Sequence, residues 1–153
     1  MATNKPLWKK GPGKLGFMQP LLGSWVAETD SSMGPLKCSR TFKPVLGGKY
    51  IELEARWVFG KGAYEEHAIY GVNDGQVSFW SFTSDGKRSA GIVADGKDVH
   101  TEAICFEAEM QAGLARMIYW PGNEGSLHWA VESKVKKGWN RFTEHHYHPV
   151  KAK

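Results

Sequence analysis

"YIELEARWVF", residues 50–59, is the stretch on which the fold turns. Ile51, Leu53, Ala55, Trp57 and Phe59 alternate with Tyr50, Glu52, Glu54, Arg56 and Val58. A period of two puts successive side chains on opposite faces of a strand, so the odd set is predicted to face an interior. "LHWAVE", residues 127–132, repeats the pattern with Leu127, Trp129 and Val131. Outward from these strands the chain is cut by turn signals: "VLGG", "FGKG", "VNDG", "SDGK", "ADGK", "MQAG" and "VKKG". Asp-Gly and Gly-Gly pairs supply the positive φ that tight hairpins need. The spacing predicts about ten strands, near 24–30, 36–44, 49–59, 63–72, 76–83, 87–95, 98–108, 113–120, 126–134 and 138–148. One short helical piece is expected, around "KLGFMQPLL", broken by Pro20. Every connection is short, so the expected fold is all-β: an antiparallel up-and-down β-barrel, closed so that no edge is left exposed.

The 153 residues suit one domain. The organisation predicted is a basic, flexible segment over 1–15, the barrel over 16–149 and a tail over 150–153. No apolar run is long enough to span a membrane as a helix, and the N-terminal segment has no apolar core of a secretory leader. A cytoplasmic protein with Cys38 and Cys105 as reduced, packed thiols is the expectation. The formal charge of +4 comes from clusters at the two ends and in "VKKG". That distribution reads as solvated termini and one basic turn rather than a nucleic-acid surface, with an anionic partner as the minor reading.

"LLGSW", residues 21–25, resembles the Gly-x-Trp opening of lipocalins and their calycin relatives. Together with "SRTFKPVLGGKYIELEARW", "YGVND" and "SFWSFTSDGKRSAGIVADGKDV", it is similar to bacterial lipocalin-like proteins of unknown function, relatives of nitrobindin and the fatty-acid-binding barrels. The resemblance covers roughly residues 16–149. It implies a barrel with an internal cavity, plugged at its closed end by Trp25, with Arg141 of the last strand stacked across it and Arg40 as the rival partner. Haem is the loan from nitrobindin. However, "VAET" follows Trp25 where those relatives carry glycines, and no histidine matches the proximal ligand, so no cofactor is expected and a haem-binding nitrobindin-like protein is a minor alternative reading.

Seven tryptophans and a few arginines suit an amphipathic ligand with an apolar body and an anionic head. The residues expected to bind it are Trp57, Trp80 and Trp129 for the body and Arg40 and His67 for orientation, with His145 facing the cavity. Strand parity around "YEEHAIYG" is open: Glu65, His67 and Ile69 face in, or Tyr64, Glu66, Ala68 and Tyr70 do. Under the first choice Glu65 and His67 form an internal pair; that pair, or a metal held by histidines, is the basis of an alternative reading as a small-molecule isomerase, cyclase or hydrolase. In "TEHHYHPV", parity with Trp139 and Arg141 inside would place His145 inside too. His146 and His148 would then be outside, two imidazoles lacking a third metal ligand unless Glu144, His128 or His100 supplies it. No catalytic or metal set is complete in the sequence. A homodimer is the third reading, in which outer apolar residues bury against a second copy.

Overall fold

Asp74 and Gly75 both have positive φ (56° and 81°), which is the conformation a two-residue hairpin turn requires. That turn joins two of ten strands in a computed structural model of the chain, which describes residues 8–32 and 34–150. The strands are β1 (Gly23–Ser31), β2 (Gly34–Val45), β3 (Tyr50–Phe59), β4 (Gly62–Asn73), β5 (Gln76–Thr83), β6 (Arg88–Ala94), β7 (Ile104–Met110), β8 (Gly113–Pro121), β9 (Leu127–Val135) and β10 (Gly138–Pro149). Each pairs antiparallel with its neighbours in sequence, and β10 returns to β1, so the sheet is a closed up-and-down barrel. A 3₁₀ turn, Gly16–Leu21, contains Pro20 and precedes β1.

The strand predictions differ from this at one place. The segment 98–103 is not strand; β7 starts at Ile104. There Asp98 leaves the sheet and binds the Arg116 guanidinium through both carboxylate oxygens, at 2.9 and 2.7 Å. At the N-terminal end, Trp8 and Leu15 of the segment before the 3₁₀ turn pack against the core. The remainder of the predicted segment, 1–7, and the tail residues 151–153 lie outside the described residues.

The hairpins β1–β2, β3–β4, β5–β6, β7–β8 and β9–β10 share one end of the barrel. The other end is closed. Met18 and Leu21 of the 3₁₀ turn enter it, and the Trp25 indole N–H donates to the Leu21 carbonyl at 2.9 Å. Above that plug Phe42, Tyr70, Phe79, Phe106 and Tyr119 stack edge to face or tilted, with ring centres 4.9 to 6.2 Å apart. Gly91 makes room for this layer. A side chain there would meet the Glu107 carbonyl and the Phe79 ring, so β6 can approach β5 and β7 only with hydrogen at that position. The outer face carries Glu52, Glu54, Arg56, Glu65 and His67 on β3 and β4 alone, which is not a lipid-facing barrel surface. Among the described residues no helix is long and apolar enough to cross a membrane.

Candidate functional site

Toward the hairpin end the interior opens into a cavity of about 310 Å³. Trp57, Tyr64, Met117, Trp129 and Val131 supply apolar walls, and Glu66, Ser81 and Thr83 a polar strip. Trp57 and Trp129, with ring centres 6.3 Å apart, lie between this cavity and a buried cation. That cation is Arg40, whose guanidinium carbon is 4.7 Å from the Trp129 ring centre and 5.6 Å from those of Trp57 and Tyr119.

Arg40 is fully buried, yet it is poorly satisfied. Its Nη2 donates to the Tyr119 hydroxyl at 2.9 Å, and the Glu66 carboxylate stands off at 3.8 Å. Its Nε and Nη1 have no hydrogen-bond partner among the described residues, nor do the Trp129 indole nitrogen and the Tyr147 hydroxyl. A buried donor with no acceptor costs about 1–3 kcal/mol, more when it is charged, so an arrangement like this is normally completed by something. Burial alone would disfavour the charge. The Tyr119 and Tyr147 oxygens and Glu66 outweigh it, so the guanidinium stays ionised. Conversely burial pushes the Tyr70, Tyr119 and Tyr147 hydroxyls above their usual range, so all three remain protonated.

Beside Arg40, the Cys38 sulfur lies 3.6 Å from His145 Nδ1. Burial raises the thiol to about 11 and lowers the imidazole, so both partners are neutral at pH 7. This is a packed thiol–imidazole contact, not a thiolate–imidazolium nucleophile. His145 is flanked by Trp129 at 5.1 Å and Tyr147 at 6.1 Å between ring centres. With the interior above Trp25 filled by the side chains of Phe42, Tyr70, Phe79, Phe106 and Tyr119, the residues present do not fit a haem macrocycle.

The structure places the expected residues unequally. Arg40, Trp57, Trp129 and His145 do face the interior. His67 and Trp80 do not: β4 turns Tyr64, Glu66, Ala68 and Tyr70 inward, and β5 turns Val77, Phe79 and Ser81 inward. His67 instead pairs with Glu52 on the outside at 3.1 Å, and Glu65 with Arg56 at 3.5 Å, so the internal Glu65–His67 pair of the enzymatic reading is not formed. The interior carboxylate is Glu66, which accepts a 2.6 Å hydrogen bond from Ser81. Sequence reasoning gave no role to Tyr119 and Tyr147, and named Glu66 only in the second of the two parities left open for β4. The signal for Glu66 was the same parity that favoured Ala68 and Tyr70, two residues suited to a core.

Arg141 does not reach Trp25. Its register partner is Glu132, on the outer face, and the pairing then skips Phe142 so that Thr143 opposes Val131. This bulge reverses parity within β10. Trp139 and Arg141 therefore face out, while Thr143, His145 and Tyr147 face in. His145 is interior as expected, but for a different reason. Outside, Glu132 bridges Arg116 and Arg141 at 2.8 Å each, with Arg116 over Trp139 and Arg141 over Trp120. Arg40 is not stacked on Trp25 either, so the plug is held by the Leu21 hydrogen bond and its packing.

The histidines of the last strand form an outer ladder. Trp120, His128 and His146 stack at 5.2 and 4.4 Å, nearly parallel, and His146 Nε2 contacts the Ser126 hydroxyl at 2.8 Å. Parallel imidazoles cannot both direct in-plane lone pairs at one ion, so the ladder is not a metal site as it stands. Glu52, Glu54 and His67 come within 4.8 Å of one another on the outer face, but Glu52 is already paired with Lys43 and His67. A scan against protein-family models and a search of curated proteins both find no match for this chain.

Proposed function

We propose that this barrel, a lipocalin-like protein of the cytoplasm, binds a small amphipathic acid. The apolar body lies against Trp57, Met117, Trp129 and Val131, and the anionic head is drawn to Arg40. The observation that carries the reading is the set of donors behind the Trp57–Trp129 wall of the cavity: Arg40 Nε and Nη1, Trp129 Nε1 and Tyr147 OH, all buried and all without an acceptor among the described residues. An anion satisfies several N–H and O–H donors at once, and its bonds to a guanidinium are charge-assisted. Glu66 balances the charge from 3.8 Å but leaves those donors free. The cavity, about 310 Å³, falls at the lower end of the range for small-molecule sites, which favours one acyl chain of medium length or a single ring system.

Because Trp57 and Trp129 separate cavity from cation, the head reaches Arg40 only as those two rings part. Binding is then reported by tryptophan emission. The test is calorimetric titration with dodecanoate and with dodecanol, on the wild type and on Arg40→Met. Selective binding of the acid, lost in Arg40→Met while the fold persists by circular dichroism, is expected. Equal affinity for acid and alcohol would remove Arg40 from the site.

A further inference from the structure

The cavity opens among residues that are at once apolar, exposed and ringed by cations. Met110 and Phe142 line the cavity, yet are 46% and 60% exposed. Phe82 and Val135 near the ends of β5 and β9 are also exposed. Around them the hairpin end carries Lys61, Lys87, Arg88, Lys134, Lys136 and Lys137, all exposed. The acids at that end are Asp30, Glu65, Asp85 and Glu109; Glu65, beside Ser84 of the β5–β6 turn, is paired with Arg56, and Asp85 is turned back on its own hairpin by Thr83 and the Lys87 amide. At the closed end, by contrast, Lys9, Lys10, Lys14, Lys49 and Lys97 are accompanied by Asp74, Asp95, Glu102 and Glu124. Cations thus outnumber acids most clearly where the cavity opens.

We infer that the barrel docks mouth-down on an anionic lipid surface. Exposed phenylalanine, methionine and valine enter the boundary between headgroups and acyl chains, and the surrounding lysines and arginine meet the lipid phosphates. Either signal alone is weak; together they give stable, reversible attachment. A second copy of the chain is a poorer occupant, because rim against rim would bring like charges together. The docking rests on the surface alone. That the membrane is also the source of the ligand rests on the proposed function, since docking places an apolar-walled cavity directly over acyl chains.

Vesicle co-sedimentation with ligand-free protein tests the docking. Vesicles of phosphatidylglycerol mixed with phosphatidylcholine should bind it at low salt and release it at about 0.5 M salt, where screening shortens to a few ångströms. Pure phosphatidylcholine vesicles should not bind. Reversing the β9–β10 turn, Lys136→Glu with Lys137→Glu, should weaken binding by about tenfold or more, and Val135→Ser by several-fold. None of these residues lines the cavity, so dodecanoate binding in solution should be unchanged in both variants. The inference is overturned if the wild type ignores anionic vesicles, if it binds neutral ones equally, or if charge reversal leaves binding intact. It is also overturned if the variants instead dissociate a dimer seen by sedimentation. Vesicle binding in a protein that takes up no dodecanoate would uphold the docking and defeat the carrier reading.

Discussion

Glu66 Oε1 stands 3.8 Å from Arg40 Nη2, close enough to balance charge and too far to accept a hydrogen bond. The pair sits in the barrel interior, with Arg40 fully buried and Glu66 nearly so. Buried ion pairs of imperfect geometry are often less stable than apolar residues of similar volume. The double variant Arg40→Met, Glu66→Gln should therefore unfold at higher urea than the wild type, by roughly 1–4 kcal/mol, while losing dodecanoate binding. A loss of stability would mean that the cation holds the aromatic cluster together.

Glu132 should behave in the opposite way. It is almost fully buried and accepts from both Arg116 and Arg141 at 2.8 Å. Removing it leaves the buried Arg116 with only Asp98. Glu132→Ala is expected to cost about 3 kcal/mol in urea denaturation, against well under 1 kcal/mol for breaking the exposed Arg56–Glu65 pair with Glu65→Ala. Equal costs would show that the outer network contributes no more than ordinary surface charge.

Both thiols should be silent in the folded protein. Cys38 is pushed up to about 11 and Cys105 to about 12, in each case by burial. Titration with an aromatic disulfide reagent at pH 8 should detect no thiol natively and two after denaturation. One reactive thiol in the native state would revive Cys38 and His145 as a chemical pair.

Acid should destabilise the protein in two stages. Burial lowers His128 and His145 below the ordinary imidazole value, so the unfolded chain binds those protons first. Stability they contribute above about pH 6.5 is lost as pH falls below it. Asp98 is held low by its hydrogen bonds to Arg116, so its contribution is present above the ordinary carboxylate value near 3.9 and is lost as pH falls through its folded value. Urea midpoints measured from pH 8 to pH 3 should decline first between about pH 6.5 and 5, and again below about pH 4. In Asp98→Asn the second decline should be shallower.

Strand count, turn positions and barrel class follow from local chemistry: a two-residue alternation in "YIELEARWVF", and Asp-Gly and Gly-Gly pairs that admit positive φ. Trp57 and Trp129 were legible as interior residues from the same alternation, whereas His145 was placed inside by a parity that the β10 bulge reverses. What the sequence could not settle was parity where aromatics occupy both faces, as in "VSFWSF" and "YEEHAIYG". Local pattern is symmetric there, and only pairing with β3 and β6 chooses a side. Phe142 shows the limit most sharply. One residue without a partner inverts every side chain on one side of it, and nothing in "WNRFTEH" marks where the extra residue falls. The tertiary structure alone decided that Arg141 would join Glu132 outside, that Glu66 rather than His67 would look inward, and that Arg40 would be enclosed with donors unmet. Each depends on which distant side chains share a face, a property of sheet register and closure rather than of any local run of residues.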